Sequence, residues 1–187
     1  MAIGWESDRV RLAPMNRARH FENCLNWVND PDVTEWLCIG DYPTGEKSQS
    51  EWFDRMTGDT RTDVVFAIEL LDGTHIGQTG IHEINRSDAY GSTGSFIGVP
   101  EMRGKGYGTE AAKLRAWYCF EVLGFRMIMS GYFSGNDRSA RMSEKAGYVE
   151  YGRIPGQFWK RGAYRDHVLT LLTRDRWMEL SQGQKNW

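Results

Sequence analysis

The sequence has few cysteines, little net charge and no long apolar run. Its three cysteines, Cys24, Cys38 and Cys119, lie far apart and form no C-x-x-C pair. This argues against a disulfide framework and against a cysteine-based metal site. The formal net charge is only −2, so binding to nucleic acid through bulk electrostatics is not expected. The opening residues, MAIGWESDRVRL, lack the apolar core of a signal peptide, and no stretch reaches membrane-spanning length.

What is present is an ordinary globular composition. Apolar residues make up 40% and charged residues 26% of the chain, which is typical of soluble domains. The 187 residues contain no repeat, low-complexity tract or linker-like change in composition, so they fit one domain with a substantial core. We therefore predict a single cytoplasmic domain over residues 1–187, with no membrane segment and no bound metal.

Hydrophobic periodicity predicts the order of helices and strands. The predicted elements are the strand ESDRVRLAP (6–14); helices that begin after Asn16 and near Thr44; the strands DVVFAIEL (63–70), THIGQTGIHEI (74–84) and TGSFIGV (93–99); a helix from Gly108 to Gly124; the strand RMIMSGYF (126–133); a helix from Asn136 to Lys145; and the strands VEYGRI (149–154) and DHVLTLL (166–172) on either side of an Arg161-Gly162 turn. This order predicts an α+β fold with a single mixed, mainly antiparallel β-sheet flanked by helices.

The most informative stretch is MRGKGYGTE, residues 102–110, which has glycine at positions 104, 106 and 108. It lies between a predicted strand and a predicted helix, whose unpaired N–H groups and positive dipole end attract phosphate. Glycine lets this backbone approach an anion closely, and Arg103 and Lys105 add positive charge. The stretch therefore predicts an anion-binding loop, with a flexible surface turn as the alternative.

The spacing of these glycines excludes two common nucleotide-binding motifs. A dinucleotide fingerprint needs G-x-G-x-x-G with an acidic residue about twenty positions later, and a P-loop needs Lys-Ser/Thr after its second glycine. The chain has neither. Instead, Arg103, Gly106 and Gly108 satisfy the pattern R-x-x-G-x-G.

With this pattern the chain resembles the GNAT superfamily of N-acetyltransferases, in which the loop and helix start hold the pyrophosphate of acetyl-coenzyme A. The segment GSFIGVPEMRGKGYGTEA is similar to the family's fourth strand, cofactor loop and third helix, and NDRSARMSEKAGYVEYGR to the segment after its fifth strand. The stretches WVNDPDVTEWL and KRGAYRDHVLTLL resemble the branch of ribosomal-protein alanine and spermidine acetyltransferases.

The resemblance implies a set of cofactor-binding residues. A strand backbone would bind the pantetheine arm and polarise the thioester carbonyl, the loop would bind the pyrophosphate, and a later segment would meet the rest of the cofactor. The implied residues are Ile97, Gly98 and Val99 on the strand; Arg103, Gly104, Lys105, Gly106, Tyr107, Gly108 and Thr109 in the loop; and Asn136 and Ser139 in the later segment. An asparagine cap and a first-turn serine are also ordinary helix features.

The catalytic residues are where the chain departs from the family pattern. Ser143 stands where many members carry a tyrosine that protonates the departing thiolate; its hydroxyl can hydrogen-bond the sulfur, or it is a solvent-facing helix residue. A glutamate common on the family's fourth strand is also missing. Because the acceptor amine must lose a proton, we predict Glu83 as the general base, as a partly buried carboxylate that is readily tuned toward neutral pH. The alternatives are His82, Asp166 and His167.

The predicted activity is direct transfer of an acetyl group from acetyl-CoA to a primary amine. The acceptor is a small-molecule amine (a polyamine, amino-sugar or aminoglycoside) or a protein N-terminus, and a homodimer is one option for assembly. The first two helices carry acids that suit a cationic small molecule, although a solvated acidic face is the commoner explanation: Asp30, Asp32, Glu35, Asp41 and Glu46. The alternative function is a catalytically silent acyl-CoA sensor.

Overall fold

The structure, a computed structural model, describes residues 4–58 and 60–187. Within them one mixed sheet runs in the order β1-β2-β3-β4-β5-β6-β8-β7. The strands are β1 (Trp5–Glu6), β2 (Val10–Pro14), β3 (Val64–Leu70), β4 (His75–Asn85), β5 (Tyr90–Ile97), β6 (Met127–Phe133), β7 (Val149–Lys160) and β8 (Ala163–Thr173). Neighbours are antiparallel except for β5 and β6, which are parallel. The predicted α+β fold is confirmed.

The helices also follow the predicted order, with two additions. They are α1 (Arg17–Asn29), α2 (Pro31–Thr34), α3 (Glu46–Thr57), α4 (Tyr107–Trp117), which continues as a π-helical turn over Tyr118–Val122, α5 (Asp137–Lys145) and α6 (Arg174–Ser181). The sequence analysis missed α2, α6 and the short β1. Pro31 follows α1 directly and begins α2, because proline fits the first turn of a helix and Asp30 caps it. In the described part of the chain, no helix has the length and apolar character needed to cross a membrane.

Helices α1 and α4 lie on opposite faces of the sheet. Cys24 of α1 contacts Gln78 of β4 (Sγ–Oε1 3.6 Å), whereas Arg115 of α4 contacts the next residue, Thr79 (2.7 Å). Successive side chains of a strand point to opposite faces. Helix α3 packs with α1, and α5 packs with α4, so each face of the sheet carries one helix pair.

The main core lies between α4 and the sheet, where apolar burial is the largest stabilising contribution. On this helix and its π-helical turn, Ala112, Ala116, Cys119 and Phe120 are completely buried. Phe120 stacks on Trp177 of the unpredicted helix α6, with ring centroids 5.1 Å apart. Helix α6 therefore contributes a buried side chain to the main core. The predicted domain range 1–187 includes residues 1–3 and 59, which lie outside this description, and stays a prediction.

A buried polar cluster joins α1 to β3 and β4. The carboxylate of Glu69 is completely buried and is contacted by His20 (2.8 Å), Arg19 (2.5 Å) and Arg11 (3.4 Å). Such a charge is tolerated in the interior only when it is paired and hydrogen-bonded. The cluster fixes α1 against the sheet on the face opposite α4.

His75 extends this cluster as a neutral imidazole. Its Nε2 lies 2.9 Å from the Gly77 carbonyl oxygen, which needs a donor, and its Nδ1 lies 3.2 Å from the Asn23 side-chain amide nitrogen, which is itself a donor. Both ring nitrogens are therefore satisfied when only Nε2 carries hydrogen. Burial, with a smaller contribution from His20, lowers the pKa of His75 to about 4.

We expect the protein to lose about 2 kcal/mol of stability between pH 7 and pH 5 through His75. Its folded pKa of about 4 lies below the ordinary 6.5, so the unfolded chain takes up the proton first. Stability is full above about pH 6.5 and is lost as the pH falls toward 4. Urea unfolding at both pH values measures the difference, most of which should vanish in His75→Gln. An equal loss in this variant would contradict the assignment.

Candidate active site

Strands β5 and β6 separate soon after they meet. Their parallel pairing ends at Ser92↔Met129. Two side-chain hydrogen bonds close the vertex: Thr93 Oγ1 donates to the Met129 carbonyl, and Ser130 Oγ donates to the Thr93 carbonyl, both at 2.9 Å. From there to Ile97, β5 is paired with β4 alone. The free edge is a place where an extended ligand can pair with the strand backbone.

The three strand residues predicted to hold the cofactor arm lie at the open end of this gap. Ile97 ends β5, and the N–H groups of Gly98 and Val99 donate to the Ile76 carbonyl at 2.9 and 3.4 Å. The Arg103 guanidinium donates to the carbonyls of Ile97 and Gly98 at 3.0 and 3.2 Å. These two N–H groups and two carbonyl groups of the three residues are therefore already hydrogen-bonded within the protein.

Gly98 leaves no room for a side chain. A Cβ atom there would lie 2.1 Å from Cδ2 of Trp27, a residue of α1 that the sequence analysis did not single out. The Trp27 ring also contacts His75 and Phe96, with centroids 4.6 and 6.0 Å away. Trp27 thus forms the wall of the gap on the α1 side, and the buried cluster behind it holds it in place.

The glycine loop ends at the N-terminus of α4 in a conformation that requires glycine. Gly104 and Gly106 have φ values of +74° and +90°, a region that other residues rarely adopt. Gly106 is the N-cap of α4, and no side chain caps its first turn. The first N–H groups of α4 are therefore left without a side-chain acceptor, which suits an anion, and anion binding by this loop stays a prediction. Arg103 instead turns back toward β5, and its contact with phosphate stays a prediction.

Arg9 is a cation at this loop that the sequence analysis missed. Its guanidinium donates to the Lys105 carbonyl (3.1 Å), lies over the Tyr107 ring (4.9 Å) and pairs with Glu110 (2.7 Å). No local pattern could reveal it, because 96 residues separate Arg9 from Lys105. Beside the loop opens a cavity of about 480 Å³, whose lining includes further cations: Lys113, Lys145 and Lys185.

Helix α5 follows β6 and packs against α4. Asn136 Oδ1 accepts the Ser139 N–H at 3.1 Å, so Asn136 caps this helix as expected from its ordinary role. Ser143 is the one buried residue of α5, with 5% of its surface exposed. The alternative interpretation of Ser143 as a solvent-facing serine is therefore wrong. Whether Asn136, Ser139 and Ser143 contact the cofactor stays a prediction.

Glu83 does not have the environment expected of a partly buried base. It is exposed, with φ +51°, at a bulge between His82 and Asn85 where the pairing with β5 shifts register. The extra residue breaks the strict alternation of the strand. The expected partial burial of Glu83 is wrong for this reason, although its catalytic role is untested.

His82 lies against the open surface of the sheet and has a carboxylate partner. Its Nε2 lies 2.3 Å from where a Cβ of Gly80 would be, so the ring covers that glycine. Its Nδ1 lies 2.7 Å from Oδ1 of Asp63. Burial raises the pKa of Asp63, but hydrogen bonds from His82 and Thr62 outweigh it, and the net shift is downward. The charged carboxylate can hold hydrogen on Nδ1 and leave Nε2 as a base.

Three glycines form a strip on the α1 face of the sheet between two histidines. Gly80 pairs with Gly94, and Gly131 lies on the same face of β6. The His167 ring covers Gly131, with Nε2 2.1 Å from the position of a Cβ, and burial lowers the pKa of His167. The two rings cover Gly80 and Gly131, so the open part of this strip is Gly94, where a Cβ would meet nothing within 4 Å.

The remaining candidates have structural roles. Asp166 Oδ1 accepts the Gly156 N–H at 2.9 Å, inside the β7–β8 pair. Asp41 of the acidic cluster is paired with the buried Lys160 at 2.7 Å, and Asp30 caps α2. The acidic cluster is therefore partly neutralised. Among residues 4–58 and 60–187, no group of three His, Cys, Asp or Glu side chains could hold a metal ion.

Comparison with known proteins agrees with this geometry. The family model described as "Acetyltransferase (GNAT) domain" matches residues 9–149. The chain is 24% identical over 143 residues (76% of this chain, 78% of the relative) to the SPbeta prophage-derived uncharacterized N-acetyltransferase YokL of Bacillus subtilis (strain 168). It is 30% identical over 103 residues (55% and 54%) to the spermidine N(1)-acetyltransferase of Escherichia coli (strain K12).

A solved structure shares the fold. The spermidine N-acetyltransferase from Vibrio cholerae, crystallised in complex with CoA and spermine, superposes with a TM-score of 0.82 at 21% identity, covering 90% of this chain and 98% of that one. The family match spans most of the chain and includes β5, the glycine loop, α4 and α5. The chain therefore belongs to the GNAT acetyltransferase family, as an acetyl-CoA-dependent N-acetyltransferase.

Proposed function

We propose that this enzyme acetylates a primary amine of a small molecule, with His82 as the general base. The observation that carries the proposal is the gap between β5 and β6, which opens on one side to the uncapped start of α4 and on the other to the glycine strip beside His82. A donor held from the α4 face and an acceptor approaching from the α1 face would meet at this gap.

The residues around the gap fit acetyl-CoA. The free N–H groups at Gly106, Tyr107 and Gly108 suit a pyrophosphate, and Arg9 with the lysines of the neighbouring cavity adds the positive charge that phosphates require. The free edge of β5 suits the amide-containing arm. When bound, acetyl-CoA supplies an acetyl thioester, whose acetyl group passes to the amine nitrogen while the C–S electron pair leaves with the sulfur.

The chain's own residues would then handle protons and charge. His82 Nε2 takes the proton that the amine nitrogen loses, and the Asp63 carboxylate stabilises the resulting imidazolium. Ser143, buried on α5, donates its hydroxyl hydrogen toward the departing sulfur in place of the tyrosine of other family members. This assignment moves the base from Glu83 to its neighbour, because His82 lies on the glycine strip and has a carboxylate partner.

The names of the relatives favour a small-molecule acceptor. Spermidine N-acetyltransferases are among the proteins similar in sequence and in structure. A polyamine, an amino-sugar or an aminoglycoside each presents a primary amine small enough for the open surface at Gly94 beside His82. A protein N-terminus as acceptor, a homodimer and a cytoplasmic location stay predictions.

Release of free thiol from acetyl-CoA across an amine panel tests the proposal. The panel contains spermidine, an aminoglycoside, an amino-sugar and a short peptide with a free N-terminus, each measured with a no-acceptor control. We expect acceptor-dependent thiol release with at least one small amine and mass spectrometry showing one added acetyl group. Release with the peptide alone would contradict the small-molecule acceptor. Coenzyme A binding without release on any amine would favour the silent sensor.

A further inference from the structure

Arg115 is a buried cation without a counter-ion. Only 1% of its surface is exposed, and none of the ion pairs within the described residues involves it. Its two terminal nitrogens donate to Thr79 Oγ1 (2.7 Å), the Gly94 carbonyl (2.9 Å) and Tyr148 Oη (3.3 Å). Its Nε is buried without a hydrogen-bond partner. Arginine stays protonated in proteins, so a full positive charge lies inside the core.

Packing does not account for this charge. An ion removed from water loses its hydration, and replacing a buried ion pair by apolar residues is often neutral or stabilising. The Arg115 charge has no ion-pair partner within the described residues and one of its nitrogens makes no hydrogen bond, so even less of its lost hydration is replaced. At an i, i+3, i+4 core position of α4 next to Ala111, Ala112 and Cys119, a methionine would fill similar space. The charge therefore calls for a role beyond stability.

One arm of the guanidinium polarises a peptide unit at the gap. Gly98 N–H donates to the Ile76 carbonyl, so in this antiparallel ladder the even-numbered residues of β5 face β4 and the odd-numbered ones face β6. The Gly94 carbonyl, which accepts from Arg115 and Thr79, shares its peptide unit with the Ser95 N–H. Ser95 N–H consequently points into the gap, and the two donors behind it make it a stronger donor.

The other arm supports the vertex where the strands part. Tyr148 Oη, which accepts from Arg115, lies 3.1 Å from Thr93 Oγ1. Thr93 Oγ1 in turn donates to the Met129 carbonyl of β6 at 2.9 Å. A continuous hydrogen-bonded chain thus runs from the buried cation to both strands at the point that determines how far the gap opens.

We propose that Arg115 is a positioning residue for acetyl transfer, whose buried charge strengthens the Ser95 N–H as a donor to the thioester carbonyl oxygen and stabilises negative charge on the sulfur in the gap. Preorganised charges and dipoles of this kind contribute most where water is excluded. The inference rests on the proposed function only in that the thioester occupies the gap between β5 and β6.

The thiol of bound coenzyme A reports this charge directly. Ultraviolet titration of the thiolate in the complex of the wild-type protein and of Arg115→Met is expected to show a thiol pKa about one unit higher in the variant. This is the shift expected when a full charge acts over about 10 Å at an effective dielectric constant of about 20. Arg115→Lys, which keeps the charge, should keep the lower thiol pKa, and so should Arg86→Met, which removes an exposed arginine.

Turnover and stability complete the test. Arg115→Met should unfold at the same temperature as the wild type or higher, and its kcat should fall about tenfold with an unchanged KM for acetyl-CoA. If this variant does not fold, Arg115→Gln takes its place in the titration. An unchanged thiol pKa in the uncharged variant, or an equal rise in Arg115→Lys, would overturn the proposal. A wild-type protein that fails to bind coenzyme A would instead contradict the proposed function.

Discussion

Replacing His82 by glutamine is expected to lower kcat by about two to four orders of magnitude, the usual contribution of a general base. Glutamine keeps a polar side chain near Gly80 but cannot take a proton from the acceptor amine. Coenzyme A affinity should stay within about twofold, because His82 lies on the α1 face and the glycine loop lies at the start of α4. Steady-state kinetics with the best amine of the panel, together with calorimetry for coenzyme A, measures both quantities.

Glu83→Gln is the matched control, since it changes the adjacent residue and removes the base favoured by the sequence. We expect it to keep wild-type turnover and the acid limb of the pH–rate profile, both of which His82→Gln should lose. Asp63→Asn should give an intermediate loss, because the imidazolium would lack its carboxylate partner. Full activity in His82→Gln with a large loss in Glu83→Gln would return the role of base to Glu83.

The elements that the sequence predicted well are those specified by local patterns. Asn16 caps α1 by accepting the Arg19 N–H, as the preference for asparagine before an apolar helical pattern indicates. Strands β3 and β4 follow from their hydrophobic periodicity. The glycine loop was predictable for a similar reason, since positive φ at Gly104 and Gly106 is a requirement of the backbone itself.

The features that the sequence did not predict depend on long-range contacts or on a break in the pattern. A single extra residue at the β4 bulge turns Glu83 to solvent, whereas His82 stands before the bulge and covers Gly80. Asp63 lies 19 residues from His82 and becomes its partner only through sheet pairing. Arg115 offered one usable signal, because a cation at a core position of an apolar helical pattern is unusual.

Arg103 belongs to the R-x-x-G-x-G motif, but its contacts in the structure differ from the phosphate contact that the motif suggests. The sequence places it in R-x-x-G-x-G and suggests a phosphate contact, but its guanidinium donates to the carbonyls of Ile97, Gly98 and Asp32. It thereby ties the end of β5 to helix α2. The spacing of Arg103 from the glycines is therefore explained equally well by these structural contacts and by binding of an anion.

Gly106→Val is expected to weaken coenzyme A binding by at least a hundredfold. Valine at φ +90° is strained, and a Cβ there would lie 3.2 Å from the Arg9 guanidinium, so both the free N–H groups of α4 and the nearest cation would shift. Loss of two or three charge-assisted hydrogen bonds, each about 1.5–3 kcal/mol, corresponds to this change in affinity. Isothermal titration calorimetry with coenzyme A measures it.

Gly124→Val separates cofactor binding from backbone strain. Gly124 also has positive φ (+70°) and open space around its Cβ position, but it follows the far end of the helix that Gly106 begins. Both variants should lose about 1–2 kcal/mol of unfolding free energy. Only Gly106→Val should lose coenzyme A affinity. Its remaining coenzyme A binding should depend less on salt concentration than that of the wild type, because phosphate contacts are lost. Equal affinities in the two variants would show that the loop at Gly106 does not hold the cofactor phosphates.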